Sequence, residues 1–287
     1  MLSRFPMDEP TILHISDTAR WAAIYRARET EREDALFRDP FARRLAGERG
    51  EQIAKATPFH EKHSWSWVTR TYLFDSVISK QVAQGADMVV NLAAGLDARP
   101  YRMRLPASLK WVEVDLPEIL EYKEEVLRAE KPVCSLERVR LDLSDAKVRR
   151  SLFGRLAGQA AKALVITEGL LIYLRGEQVV ALAEDLKHFP TFQRWVLDIA
   201  SPGLLRMLQK NTHQQFGENV SPLQFAPDDG PAFLARNGWK PLEVRSMLKT
   251  AAGLKRLTFL MRLLALLPEN PKMGSRPWSG VCLLASG

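Results

Sequence analysis

The sequence has few cysteines, no long uninterrupted apolar run and no cluster of basic residues. Its two cysteines, Cys134 and Cys282, stand far apart and form neither a metal-binding nor a redox spacing. Disulfide-rich and zinc-ribbon folds are therefore excluded, and we expect a reducing, cytoplasmic setting. The 41 basic residues exceed the 34 acidic ones by seven, but they are dispersed, so we predict no nucleic-acid partner.

Two segments bear on secretion and membranes. The first nine residues lack the apolar region of a signal peptide. The most apolar late segment, Leu257 to Leu267, contains Arg262 and is too short to span a bilayer. We therefore predict no membrane partner. We also predict that this segment is an amphipathic helix that packs on the body or forms one wall of a substrate pocket.

The chain also lacks the G-x-G-x-x-G turn of dinucleotide enzymes. After the apolar run Val89 to Leu92, the expected turn contains only one glycine, Gly95, and a second apolar strand then ends in Asp115. A strand-end acid can accept both hydroxyls of a ribose, but three spaced glycines are needed to cradle a pyrophosphate. The pattern therefore favours a ligand with a ribose and no diphosphate, as in S-adenosyl-L-methionine.

The order of predicted elements indicates an α/β fold in a single domain, residues 1–287. Residues 8–84 are predicted to form a helical cap, 86–200 a cofactor-binding core, and 201–287 substrate-side helices and terminal strands. Strands that alternate with helices of this length predict a parallel sheet with helices on both faces. The seven predicted strands are Met88–Leu92, Trp111–Val114, Arg138–Leu141, Ala163–Thr167, Trp195–Ile199, Pro241–Arg245 and Val281–Ala285.

Three successive strand ends carry an acid: Asp115, Asp142 and Glu168. One such acid alone is more often a helix cap. Ligands in open α/β sheets bind beyond the carboxyl ends of the strands, so three acids there indicate a nucleoside-type site. We expect Gly95 to admit the methionine part of the cofactor and Asp115 to bind the ribose. Asp142 would accept from the adenine amino group, Leu143 would pack beside the ring, and Glu168 would offset positive charge.

An arginine in the third predicted helix is a candidate partner for a carboxylate on the ligand. Arg70 could bind such a carboxylate through two parallel hydrogen bonds. Its alternative role is that of an ordinary arginine on a helix surface.

Several motifs together resemble the leucine carboxyl methyltransferase family, whose bacterial branch includes O-methyltransferases of polyketide biosynthesis. The resemblance covers nearly the whole chain and implies a class I methyltransferase, Rossmann-like fold that uses S-adenosyl-L-methionine. The motifs that carry it are Asp17–Ala19, Leu36–Ala42, Arg70-Thr71, Asn91–Tyr101, Glu113–Pro117, Thr167–Leu174 and Arg276–Gly280.

The resemblance assigns cofactor-binding roles to positions already singled out. These positions are Arg70, Ala93, Gly95, Asp115, Asp142, Leu143 and Glu168. Ala93 departs from the family, which usually has glycine there, and a positive φ at this alanine would weaken cofactor binding. The family also has a basic cofactor contact near the N-terminus, for which Arg26 is a candidate.

The catalytic group is less defined by the sequence. Tyr173 follows the fourth strand and is our candidate to face the methyl acceptor, although it could equally be an aromatic packed on the sheet. A carboxylate acceptor needs no base, whereas a phenol, with a pKa of about 10, would want one. Candidate bases are His60, His63, His188 and His213, and we predict no metal site.

The favoured function is transfer of a methyl group to a carboxylate or hydroxyl of a small molecule, such as a polyketide or other secondary metabolite. Three alternatives are a protein C-terminal carboxyl methyltransferase, a non-catalytic cofactor-binding interaction module, and an NAD-dependent oxidoreductase. The last is disfavoured because only one of the three spaced glycines is present. The sequence leaves the acceptor and the oligomeric state undetermined.

Overall fold

A computed structural model of the chain describes residues 15–56, 63–216, 222–269, 274 and 276–287. Its central element is one seven-stranded sheet with the strand order β3-β2-β1-β4-β5-β7-β6. The strands are β1 (Met88–Leu92), β2 (Lys110–Asp115), β3 (Ser135–Arg140), β4 (Ala163–Thr167), β5 (Phe192–Ala200), β6 (Trp239–Ser246) and β7 (Ser279–Ser286).

The first five strands are parallel, and β7 is antiparallel to both of its neighbours, β5 and β6. The strands β2 and β3 lie on one side of β1, and the later strands lie on its other side. The point at which the strand order changes side therefore lies between β1 and β4. The class I methyltransferase, Rossmann-like sheet predicted from the sequence is thus confirmed. Ligand sites in such sheets lie at this switch point.

Helices cover both faces of the sheet. The helices are α1 (Ile15–Thr30), α2 (Ala42–Ala56), α3 (Trp65–Ala83), α4 (Arg99–Arg102), α5 (Pro117–Val126), α6 (Ala146–Ala157), α7 (Gly176–Lys187), α8 (Pro202–Phe216), α9 (Ala232–Arg236), α10 (Met247–Gly253) and α11 (Phe259–Ala265). A short 3₁₀ turn (Leu171–Tyr173) follows β4. None of the helices within the described ranges is both long and apolar enough to cross a membrane.

Alternation along the buried strands explains the two-faced core. In β4, Val165 packs in the cluster that includes α6 and α7, whereas Leu164 and Ile166 pack in the cluster that includes α3. Successive side chains of a strand point to opposite faces, so a strand that is apolar throughout needs cover on both sides. All five residues of β1 and of β4 are buried accordingly.

The helices before the sheet divide between two positions. Buried residues of α1 and α2 pack against Leu96, Ala98 and Tyr101, which follow β1, and against α5. The sequence placed α3 in the helical cap, but its buried side chains pack on a face of the sheet. The reason is its apolar stripe, in which Leu73, Phe74, Val77 and Ile78 recur at helical spacing.

Candidate active site

A cavity of about 720 Å³ opens at the carboxyl ends of the parallel strands. One part of its wall comes from residues that follow β1, β2 and β4, together with the end of β5, and is rich in charged side chains. The remainder comes from α1, α3, α8, α11 and the segments near them, and is mostly apolar. The fold therefore brings a charged strand edge and an apolar compartment into one space.

The turn after β1 is held against the end of β2. The Gly95 backbone N–H donates to Asp115 Oδ2 at 2.6 Å, and the Leu116 N–H donates to Oδ1 at 2.8 Å. Burial raises the pKa of the Asp115 carboxyl, and these two backbone donors offset only part of that rise. Each carboxylate oxygen has a second acceptor position. Asp115 is therefore fixed in orientation and still able to accept hydroxyl hydrogen bonds in the cavity.

The two residues Ala93 and Gly95 of this turn have left-handed backbones, with φ of 55° and 50°. Ala93 is thus strained where glycine would not be, since L-residues pay about 1–2 kcal/mol in this region. A positive φ at Ala93 was the condition under which we expected this alanine to weaken cofactor binding, and the structure has it.

We expect Ala93→Gly to raise the free energy of unfolding by about 0.5–1 kcal/mol, which is the relief of strain less the greater entropy of an unfolded glycine. Chemical denaturation measures this change. Ala94→Gly is the matched control, because Ala94 lies next to Ala93 in the same turn but not at positive φ. The control should lose stability, and a loss in both variants would contradict the strain argument.

The strand-four acid and the predicted arginine meet in the cavity. Arg70 Nε lies 3.1 Å from Glu168 Oε1, and Arg70 Nη1 lies 3.4 Å from Asp198 Oδ2. Glycine is favoured at Gly169, because its φ of 68° is left-handed and an added Cβ would lie 3.1 Å from Arg70 Nη1. Arg70 is therefore not a surface arginine but a partly buried cation between two carboxylates.

Asp198 was not predicted from the sequence. It lies within the apolar strand β5, lines the cavity, and accepts from the Gly169 N–H at 2.6 Å. Burial raises the pKa of its carboxyl, although the Arg70 guanidinium opposes that shift. The available signal was the single acid in an otherwise apolar run of the strand, Trp195 to Ala200.

A second set of charges, also missed, holds Glu168 from its other side. Arg99 Nη1 lies 2.8 Å from Glu168 Oε2 and 2.7 Å from Asp97 Oδ2, and Arg99 Nε lies 2.6 Å from Asp75 Oδ1. Asn91 Nδ2 donates to Asp97 Oδ2 at 2.8 Å. Glu168 is thus clamped between two arginines, which fixes its carboxylate at the cavity wall.

Tyr173, the predicted catalytic residue, lines the cavity from the 3₁₀ turn after β4. Burial raises the pKa of its hydroxyl, while a hydrogen bond with the Thr18 side chain and the charge of Arg70 act in the opposite direction. The net rise keeps the phenol protonated near neutral pH. Tyr173 can therefore donate a hydrogen bond to an acceptor molecule but is not suited to act as a base.

The candidate histidines fall in different places. His63 lines the cavity, whereas His188 ends α7 and packs edge-on against Phe189, away from the cavity lining. His60 and the side chain of His213 lie outside the described residues. Among the described residues, no group of three or more histidine, cysteine, aspartate or glutamate side chains is arranged to hold a metal ion.

Two predicted adenine-site residues, Asp142 and Leu143, are not part of the cavity lining. Asp142 is exposed after β3, where its Oδ1 accepts from the Ser144 N–H at 2.8 Å. Leu143 is partly buried and packs against the main core. Their assignment to the adenine stays a prediction. Arg26 does line the cavity, where it pairs with Asp39 at 3.0 Å.

Comparison with known proteins identifies a family model and several relatives that match this chain. The family model described as leucine carboxyl methyltransferase matches residues 19–187. A protein of Streptomyces coelicolor is 33% identical over 244 residues, covering 78% of this chain and 82% of the relative. A protein of Frankia alni is 31% identical over 258 residues, covering 82% of this chain and 86% of the relative. Both names provisionally describe S-adenosyl-L-methionine-dependent methyltransferases.

A solved structure of a duf574 family protein from Streptomyces avermitilis shares the fold. Its TM-score is 0.57 at 11% sequence identity, and the match covers 94% of this chain and 97% of that one. The family model spans more than half of the chain, and the S. coelicolor relative is matched over most of its length. The chain therefore belongs to the leucine carboxyl methyltransferase family.

Proposed function

We propose that this methyltransferase uses S-adenosyl-L-methionine to methylate a carboxylate or hydroxyl oxygen of a small molecule, such as a polyketide or other secondary metabolite. The observation that carries the proposal is that Asp115, Glu168 and Arg70 line the same cavity as an apolar compartment. The cofactor-related names of the relatives support the choice of methyl donor.

The residues present fit this cofactor. A nucleoside with an amino-acid tail needs an acceptor for two ribose hydroxyls, a cation for its carboxylate and an acid for its amino group. Asp115, Arg70 and Glu168 supply these three groups, and the left-handed turn at Ala93 and Gly95 leaves the backbone close to the cavity. When bound, the cofactor supplies a methyl group carried on a positively charged sulfur.

The remaining work of the protein is to position the acceptor and exclude water. Leu204, Met207, Leu208 and Phe225 give the cavity an apolar wall that favours an apolar acceptor and displaces solvent. The protonated Tyr173 hydroxyl can donate to the acceptor and orient the oxygen that receives the methyl group. A carboxylate acceptor is already ionised at neutral pH and needs no proton removed.

The first test is calorimetric binding of S-adenosyl-L-methionine and S-adenosyl-L-homocysteine, with NAD as the control. We expect both sulfur nucleosides to bind and NAD not to bind. A panel of apolar acids and phenols is then supplied with methyl-labelled cofactor. Mild alkali separates the two oxygen chemistries, because it releases label from an ester but not from an ether. Binding of NAD alone would contradict the proposal, as would label found only on nitrogen, sulfur or carbon.

Tyr173→Phe tests the proposed hydrogen bond. We expect kcat to fall by about tenfold, the usual effect of losing one positioned hydrogen bond. Since the raised pKa keeps the hydroxyl protonated, the loss should be the same factor at each pH across the neutral range. A loss that grows as the pH rises would instead indicate that Tyr173 acts as a base. Calorimetry of the cofactor on the variant controls for damage to the site.

A further inference from the structure

The segment formed by α11 and the two residues after it is unusually apolar on its outside. Of the ten large apolar side chains that are exposed in the described part of the chain, six lie in this segment. Leu260 and Leu266 are 68% and 80% exposed. We call the six residues the α11 patch: Phe259, Leu260, Leu263, Leu264, Leu266 and Leu267. A contiguous apolar patch of this kind marks a contact with another molecule or with a lipid surface.

The α11 patch is continuous with the cavity. Leu264 and Leu267 belong to the cavity wall and are nevertheless 49% and 54% exposed. Met261 and Ala265, on the same helix, also line the cavity. One short helix therefore presents apolar side chains both to the acceptor compartment and to the outside, which makes the patch a rim of the cavity.

The charged residues around the α11 patch indicate which kind of surface it can contact. Five basic residues lie between Arg245 and Pro268, and three of them are paired with carboxylates. These pairs are Arg245–Glu243, Lys249–Glu269, Arg256–Glu29 and Arg256–Asp34. Lys255 and Arg262 are exposed close to the patch. An apolar helix face bordered by lysine and arginine is the pattern of segments that lie in the interface of an anionic membrane.

A second copy of the chain is a poorer occupant. A two-fold interface brings the same surface of each subunit together. Pairing through the α11 patch would therefore bring the exposed Lys255 and Arg262 of one copy close to those of the other. An anionic lipid surface complements both the apolar and the charged parts of the segment.

Contrary to the expectation of no membrane partner, we propose that the α11 patch rests on an anionic lipid surface and that the methyl acceptor is an apolar molecule drawn from that surface. The acceptor enters the cavity past Leu264 and Leu267. The statement about the acceptor rests on the proposed function, whereas the statement about the surface does not.

Vesicle flotation of the full chain tests the surface contact. The probes are vesicles of phosphatidylcholine mixed with phosphatidylglycerol, and vesicles of phosphatidylcholine alone. We expect flotation with the anionic vesicles that weakens as salt is raised. The variant Leu260→Gln with Leu266→Gln should lose at least about tenfold in partition coefficient, because it removes apolar area from the contact. Neither residue belongs to the cavity lining.

The matched control is Leu242→Gln with Val244→Gln, which changes two exposed apolar residues of β6. Equal flotation of the patch variant and the control would overturn the proposal, as would no flotation of the unaltered chain. A dimer in sedimentation that only the patch variant dissociates would also overturn it, in favour of a second copy. Binding of S-adenosyl-L-homocysteine, measured without lipid, reports separately on the proposed function.

Discussion

Asp115→Ala should weaken the binding of S-adenosyl-L-homocysteine by about a hundredfold. In the proposed function this carboxylate accepts both ribose hydroxyls, and each hydrogen bond to a charged group contributes about 1.5–3 kcal/mol. A loss of roughly 3 kcal/mol corresponds to two factors of ten in the dissociation constant. Isothermal calorimetry measures the change directly.

Asp145→Ala is the matched control for this substitution. Asp145 also accepts two backbone N–H groups, from Lys147 and Val148 at 3.0 and 3.1 Å, but it caps α6 outside the cavity lining. Asp145→Ala should lose about 1 kcal/mol of stability, the usual cost of losing a cap. Asp115→Ala should lose a similar amount, because the Gly95 and Leu116 N–H groups lose their acceptor. Only Asp115→Ala should lose affinity. Unchanged affinity in Asp115→Ala, with the fold intact, would show that the ribose is not bound there.

Arg70→Met should have the largest effect on stability and should also abolish measurable cofactor binding. The substitution leaves Asp198 and one oxygen of Glu168 without their cation. Removing one partner of a fully buried ion pair costs about 3–5 kcal/mol, and these side chains are 15–16% exposed, which lowers the cost. Because Arg99 still holds the other oxygen of Glu168, we expect a value near the lower end, about 3 kcal/mol. Denaturant unfolding measures the loss.

Two further variants separate stability from binding. Arg70→Met combined with Asp198→Asn removes the charge that Arg70 balanced, so it should recover part of the stability but none of the cofactor affinity. Arg150→Met is the control. Arg150 pairs with Asp185, which Arg149 also holds, but the Arg150 side chain is 62% exposed. An exposed pair contributes little to stability, so this variant should unfold close to the unaltered chain. Recovery of affinity in the double variant would mean that Arg70 has only a structural role.

Buried parallel strands were the most predictable part of the fold. The predicted and observed bounds of β1 and β4 coincide, because an apolar run covered on both faces has a sharp beginning and end. At the edge of the sheet, β3 starts three residues earlier than expected. Its first residues, Ser135 to Glu137, are only partly buried, so no apolar pattern marks them.

The cavity lining was predictable where its residues follow strand ends along the chain. Asp115 and Glu168 belong to that class, and Arg70 was found through the resemblance as well as by its chemistry. Asp198 was missed because an acid inside an apolar strand carries no motif. Asp75 was missed because its partner Arg99 is twenty-four residues away, and only the packing of α3 on the sheet brings them together.

The insertion of β7 between β5 and β6 sets the order in which the sheet can be completed. Among the described strands β6 pairs only with β7, and β7 comes last of them along the chain. A nascent chain that has produced β6 therefore has no neighbour for it, and the open edge of β5 stays unpaired over the same interval. Vectorial folding can build the nucleoside half of the sheet early, but the far half must assemble after translation has passed residue 286.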